Sequence, residues 1–374
     1  MIPLSLSFVL LLSATPAEEK QLTLTAMHAA MRAVTSLQPY LASPEAFQDP
    51  ANATIVAAQL DALAGLKHRF MGPGKQDPSV ETLAGLFGDS VVRAQAEMKK
   101  GNTDVARMRL RSVTGLCFAC HSRQAASKDF EDLTKSVDAL DLPPLRKAEF
   151  FATTRQFDKA AALWSQALTA TAKSEAEWFE QAGALRQYLA VLVRVKDDRD
   201  ATMRVLAKQS ARKELPVFFK RMVDAWLVEA TAWKADDFAA SRAAPAALFA
   251  RAKKLIDGTG AGKTVIWDDA RFVSLLRASG YLHTALEKDP RALWRGEALY
   301  LLAIATSASM DPLLWDLDDL YLEACIREKP HSAIAAACSE RMYDRAWFGW
   351  SGSGGTRIPP DVTRRLGELR QLAQ

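Results

Sequence analysis

The 374-residue chain is poor in cysteine and histidine, with four and five, and apart from one cluster these few are scattered. A disulfide-knit scaffold needs far more cysteine, so stability has to come from a buried apolar core. Zinc frameworks built from repeated Cys and His pairs are excluded on the same ground. Charge of one sign is also scarce. Lys plus Arg number 48 against 44 Asp plus Glu, a net +4 with both signs interspersed and no long basic block, which argues against nucleic acid as a partner. No stretch alternates apolar and polar residues as a half-buried strand does. No nucleophile, base and orienter set can be assembled, so hydrolase and transferase chemistry has no support and an enzyme is not expected.

The apolar run Leu4 to Leu12 is too short to span a bilayer. Ser13-Ala14-Thr15-Pro16-Ala17 and the polar Glu18-Glu19-Lys20 follow it, so residues 1–17 read as a signal peptide cleaved near Ala17. No Cys stands at that site, and lipid anchoring is not expected. Export places the mature chain in a bacterial periplasm, where disulfides persist. Cys325 and Cys338, thirteen apart in a helical stretch, are then either a disulfide between neighbouring helices or two buried thiols.

The cluster is Cys117-Phe118-Ala119-Cys120-His121. On a helix the two cysteines lie one turn apart on one face, so their thiols can add to the two vinyl groups of one porphyrin while His121 offers an imidazole nitrogen to the iron. A redox dithiol or half of a zinc site are the plainer readings, but no βαβ pattern surrounds the motif and no second Cys/His pair lies nearby.

Periodicity and capping signals divide residues 20–128 into four helices. The first runs from about Leu22 to Leu37, with Leu24, Met27, Met31 and Val34 on one stripe. Asp49-Pro50 and Asp77-Pro78 open the next two, which end near Phe70 and Lys100. The fourth follows Gly101-Asn102-Thr103-Asp104, turns Val105, Met108, Val113 and Leu116 inward, and carries the C-x-x-C-H motif at its C-terminal end. Four helices with the motif on the last resemble the class II c-type cytochromes, the cytochrome c-prime class, which are antiparallel four-helix bundles. The resemblance covers roughly the first third of the chain and implies one haem c on Cys117 and Cys120 with His121 as proximal ligand. It also implies that the first helix covers the far face of the haem, where Met31, or Met27 one turn away, is either a sixth ligand or core packing. The Arg-Gln pair usual before that position is absent, and Gln124-Ala125 replaces the aromatic-basic pair usual after the haem histidine. The class often pairs through its first two helices, so a homodimer is among the expected assemblies.

Residues 129–141 read as a linker and 142–374 as a second, helical unit containing all nine Trp, from Trp164 to Trp350. Leu145 to Thr171 resembles a tetratricopeptide repeat, with Ala148 and Phe151 on a first helix and Ala160, Trp164 and Ala167 on a second. Ala278, Leu282, Ala285 and Pro290 match in part, and Gly296, Tyr300, Tyr321 and Pro330 more weakly. The expected fold is therefore all-α, an N-terminal four-helix haem bundle followed by an α-solenoid of tetratricopeptide-like helix pairs.

Gly258-Thr259-Gly260-Ala261-Gly262-Lys263-Thr264 is close to a phosphate-binding loop, but Asp257 stands where its first glycine belongs and a helical run precedes it, so no nucleotide is expected. Ser351-Gly352-Ser353-Gly354-Gly355 reads as a flexible loop before a last helix bearing Val362, Leu366 and Leu369, with Trp347 and Trp350 beside it. His68, His283 and His331 have no metal-ligating company. Together these readings predict a periplasmic monohaem c-type cytochrome that passes electrons between redox partner proteins docked on its repeat domain. The alternative is a haem-based gas-binding or sensing module, and peroxidase-like chemistry would fall to His28.

Overall fold

The computed structural model describes residues 16–66, 78–123, 134–233, 242–260, 269–309 and 317–374. The chain is all-helical apart from one two-stranded hairpin among these residues. It opens with α1 (Pro16–Ala42), α2 (Pro44–Gln48), a 3-10 turn (Pro50–Asn52), α3 (Ala53–Ala64), α4 (Pro78–Lys99), α5 (Thr103–His121) and α6 (Thr134–Asp138). There follow α7 (Pro144–Thr153), α8 (Phe157–Ala167), α9 (Glu175–Ala190) continued by a π turn (Val191–Val195), α10 (Arg199–Ser210) and α11 (Val217–Ala232). The chain closes with α12 (Pro245–Thr259), α13 (Phe272–Lys288), α14 (Arg295–Ser309), α15 (Leu317–Glu328), α16 (Ala333–Gly349), the strands β1 (Ser351–Gly352) and β2 (Gly355–Thr356), and α17 (Pro360–Ala373). No helix among the described residues is long and apolar enough to cross a membrane.

Local signals start these helices where they start. Ser43, Ser174, Asp198 and Ser332 each accept a hydrogen bond from the backbone three residues on, satisfying an otherwise orphaned N–H. Pro44, Pro144, Pro245 and Pro360 occupy first helical positions, where their missing N–H costs nothing. One cap comes from far away: the buried Glu229 carboxylate on α11 accepts from Val273 N at 3.0 Å and Ser274 Oγ at 2.8 Å, closing the start of α13. At the other end of α12, Gly260 takes the left-handed conformation at φ +70° that stops the helix.

Consecutive helices pack in pairs, α4 on α5, α7 on α8, α10 on α11, α12 on α13 and α14 on α15. Contacts of α5 with α7 and of α4 with α15 join the first five helices to the rest, and a single apolar core runs through both. Trp164 of α8 is fully buried at this junction, edge-on to Phe118 of α5 at 6.5 Å and tilted against Tyr188 of α9 at 5.6 Å. Its burial fixes α5 against α8 and α9, and so sets the walls described below.

Several expected details change. Val113 and Leu116 do face inward, but Val105 and Met108 are exposed, because Ala106 and Leu110 take the inward positions earlier on α5. On α1 Leu24 is exposed, and the buried stripe is Ala26, Ala30, Ala33, Val34, Leu37 and Leu41. The second helix is broken: Asp49 caps only the short 3-10 turn before α3 begins. Val137 of α6, inside the stretch read as a linker, is fully buried. The glycine-rich Ser351 to Gly355 segment is an ordered hairpin, pairing Ser351 with Thr356 and Gly352 with Gly355, and Gly355 at φ +93° supplies its turn. Residues 1–15, most of the signal-peptide reading, His68 and the end of the second expected helix near Phe70 lie outside the described residues, as does the stretch from Ala261 to Thr264.

Candidate functional site

The C-x-x-C-H motif occupies the last turn of α5. Cys117 and Cys120 are half-buried, packed against the core, and not bonded to each other. At about 100° per residue, the midpoint of Phe118 and Ala119 lies about 180° from that of the two cysteines. Phe118 and Ala119 line a cavity, so the thiols sit on the opposite side of the helix. Burial, with Cys120 beside it, pushes the Cys117 thiol up to about 12, which holds it protonated at neutral pH. His121 is buried and its Nδ1 lies 2.5 Å from the Thr153 carbonyl oxygen at the end of α7. Burial first, then nearby Arg155, push this imidazole down to about 4 against the opposing pull of that hydrogen bond.

The expected haem c is overturned here. Among the described residues no group of three or more His, Cys, Asp or Glu is placed to hold a metal ion. The physical reason lies in how α5 is seated: His121 is buried in the α5–α7 seam, and the half-buried, core-packed thiols face away from the cavity that the same turn lines. These residues do not fit the group. Met31 and Met27, the expected sixth ligands, are partly buried and pack against the core, and His28 is exposed. The electron-carrier and gas-sensing readings both required the iron.

What the fold does build is a cavity of about 300 Å³ where α5 meets α7, α9, α13, α14 and α15. Five arginines line it, Arg111, Arg123, Arg146, Arg186 and Arg194, against two carboxylates, Glu149 and Glu180. Arg146 bridges both carboxylates, at 2.9 Å to Glu149 and 3.1 Å to Glu180. Neutral groups contact three of the others. Arg123 donates to Tyr321 Oη at 2.7 Å and Arg194 to Ser279 Oγ at 2.9 Å, while Arg186 stacks over Trp226 and Phe272 at 5.0 and 5.2 Å. Burial and the neighbouring Arg146 and Arg107 guanidiniums push Arg111 below its usual range, as a positive field requires. Phe118, Phe272, Leu276 and Leu317 give the hollow an apolar lining, with Phe179 exposed at its mouth. Arg111, Arg146, Glu149 and Glu180 also wall a smaller neighbouring cavity of about 240 Å³, so this quartet separates the two.

None of these arginines stands out in sequence. The readable signal is on α9 and its π turn, where Gly183, Gln187, Ala190 and Arg194 fall at helical spacing on one face, a small and polar stripe that a core-facing helix does not need. His283, read as lacking metal company, is buried and lines the same cavity. Elsewhere, Cys325 and Cys338 are joined in a disulfide that ties α15 to α16.

No protein-family model matches the chain, and neither a curated protein nor a solved structure is detectably similar to it.

Proposed function

We propose that the chain is an exported, non-enzymatic docking protein, in which a four-helix N-terminal unit carries a solenoid-like array of helix pairs that holds partner proteins. The observation that carries this reading is an apolar edge between α9 and α11. Phe179 is 57% exposed and stacks on Phe218 at a ring separation of 4.8 Å, with Val217 beside it 75% exposed. A contiguous exposed apolar patch is a mark of an interaction site, whereas singly scattered apolar residues are not. The Cys325–Cys338 disulfide supports export to an oxidising compartment, where the partners would also lie.

The test is photo-crosslinking in the producing cell, with a photoreactive residue in place of Val217 and, as control, in place of the exposed Glu368 on α17. The reading expects one dominant adduct at Val217, identified by mass spectrometry, that is missing from the control and lost with Phe218→Asp. A second copy of the chain as the adduct would make the edge a dimer interface. The same diffuse products at both positions would sink the docking reading.

A further inference from the structure

We propose that the arginine-lined cavity is a binding site for a small organic polycarboxylate, an acid with two or three carboxylates on a compact carbon body. Five lining guanidiniums against two lining carboxylates leave a formal surplus of three positive charges around a cleft of about 300 Å³, the lower end of the range for small-molecule sites. The arginines approach from different directions. Arg111 comes from α5, Arg123 from just beyond its end, Arg146 from α7, Arg186 from α9 and Arg194 from the π turn that follows. Convergent guanidiniums from separate elements suit several carboxylates on one molecule, because each planar fork pairs with one carboxylate in bidentate fashion.

The arginines are also pre-positioned. Tyr321 and Ser279 hydroxyls orient Arg123 and Arg194, and two aromatic rings flank Arg186, so little side-chain freedom is left to lose on binding. Between the charged groups the lining is carbon, from Phe118, Leu145, Phe272, Leu276 and Leu317. A bare inorganic anion would leave that surface unmatched, whereas an organic body covers it. Glu149 and Glu180, tied to Arg146, stand where the two cavities meet.

Gly183 supplies a way to block the site without touching its charge. It lines the cavity within α9, and a Cβ built on it meets nothing within 4 Å. Gly183→Leu therefore fills the space while raising helix propensity, which favours folding.

The experiment is titration calorimetry on the whole chain at low salt with four probes: benzene-1,3,5-tricarboxylate, citrate, benzoate and inorganic phosphate. Expected is one-to-one binding of a tricarboxylate, at least about tenfold weaker binding of benzoate, a further loss of about tenfold in Arg194→Gln, and no binding in Gly183→Leu. Both variants are checked by circular dichroism, and if Arg194→Gln does not fold, Gly183→Leu decides alone. Absence of tricarboxylate binding at millimolar concentration overturns the proposal, as does unchanged binding in Gly183→Leu. Phosphate binding as tightly as the tricarboxylates overturns it too, since the cavity would then select charge and not the carbon body. Phe179 borders both the cavity and the apolar edge, but the crosslinking is read at Val217 and Phe218, which do not line the cavity, so either reading can fail without the other.

Discussion

The Nδ1 of His121 donates to the carbonyl oxygen of Thr153 at 2.5 Å, closing the seam between the last residue of α5 and the last residue of α7. A carbonyl only accepts, so the proton of the neutral ring resides on Nδ1. Of the residues in the C-x-x-C-H motif, His121 thus works as a clasp between the N-terminal helices and the array.

That clasp makes stability depend on acid. Burial holds the folded imidazole down at about 4, below its ordinary value near 6.5, so between these limits the unfolded chain binds the extra proton. The contribution is present above about pH 6.5 and is lost as pH falls to about 4. Thermal unfolding followed from pH 7 to pH 4 should show a falling midpoint, and His121→Gln should be less stable at pH 7 with a shallower slope. An unchanged slope in the variant would remove His121 as the cause.

Asp318 gives the opposite dependence. It is buried on α15, with Arg345 of α16 at 2.5 Å, and burial pushes its carboxyl up to about 7 although Arg345 pulls the other way and Asp319 adds to the rise. The folded value lies above the unfolded one, so this group's stabilisation is full below about pH 4 and is lost as pH rises through about 7. In the His121→Gln background, unfolding midpoints should fall from pH 5 to pH 8, and adding Asp318→Asn should flatten that decline. A decline that persists would assign it to another group.

How much of this was legible follows from where each signal is written. The start of α4 was readable because Pro78 at a first helical position acts within one turn, and Trp164 declared itself core by its spacing from Ala160. Val105 and Met108 misled because an apolar stripe names a face, while the depth of burial along it depends on what packs there, and α5 meets α2 and α7 through other residues. The C-x-x-C-H spacing was legible as chemistry, yet spacing carries no information on which side of α5 is turned to a cavity. The arginine site left only the small and polar stripe Gly183, Gln187, Ala190 and Arg194 to be read, since Arg111, Arg123, Arg146, Arg186 and Arg194 come together only when α5, α7 and α9 pack.

The two motif thiols should behave as structural residues. With the Cys117 thiol pushed up to about 12, the thiolate that reacts with alkylating agents is scarce at neutral pH. Iodoacetamide at pH 8 should modify Cys117 slowly in the native chain and at the rate of an ordinary thiol after denaturation, as read by peptide mass spectrometry. Rapid native modification would mean a reactive, depressed thiol and reopen dithiol chemistry at this turn.

The disulfide makes a claim of different kind, because it acts largely through the unfolded chain. Cys325 and Cys338 are both fully buried and close a loop with a sequence separation of 13, tying α15 to α16 just beyond the Asp318–Arg345 pair. For a loop of this size, restriction of the unfolded ensemble contributes about 3 kcal/mol. The double variant Cys325→Ala/Cys338→Ala should lose about that much in urea unfolding, and reduction of the wild type should produce a similar loss while leaving the double variant unaffected. The loss should extend beyond α16: α17 packs on α15 and α16, and Leu369 and Ala373 are buried there, so hydrogen exchange should quicken in α17 when the bond is removed. Exchange that quickens only next to the cysteines would show that α17 is held by its own contacts and that the bond staples two helices alone.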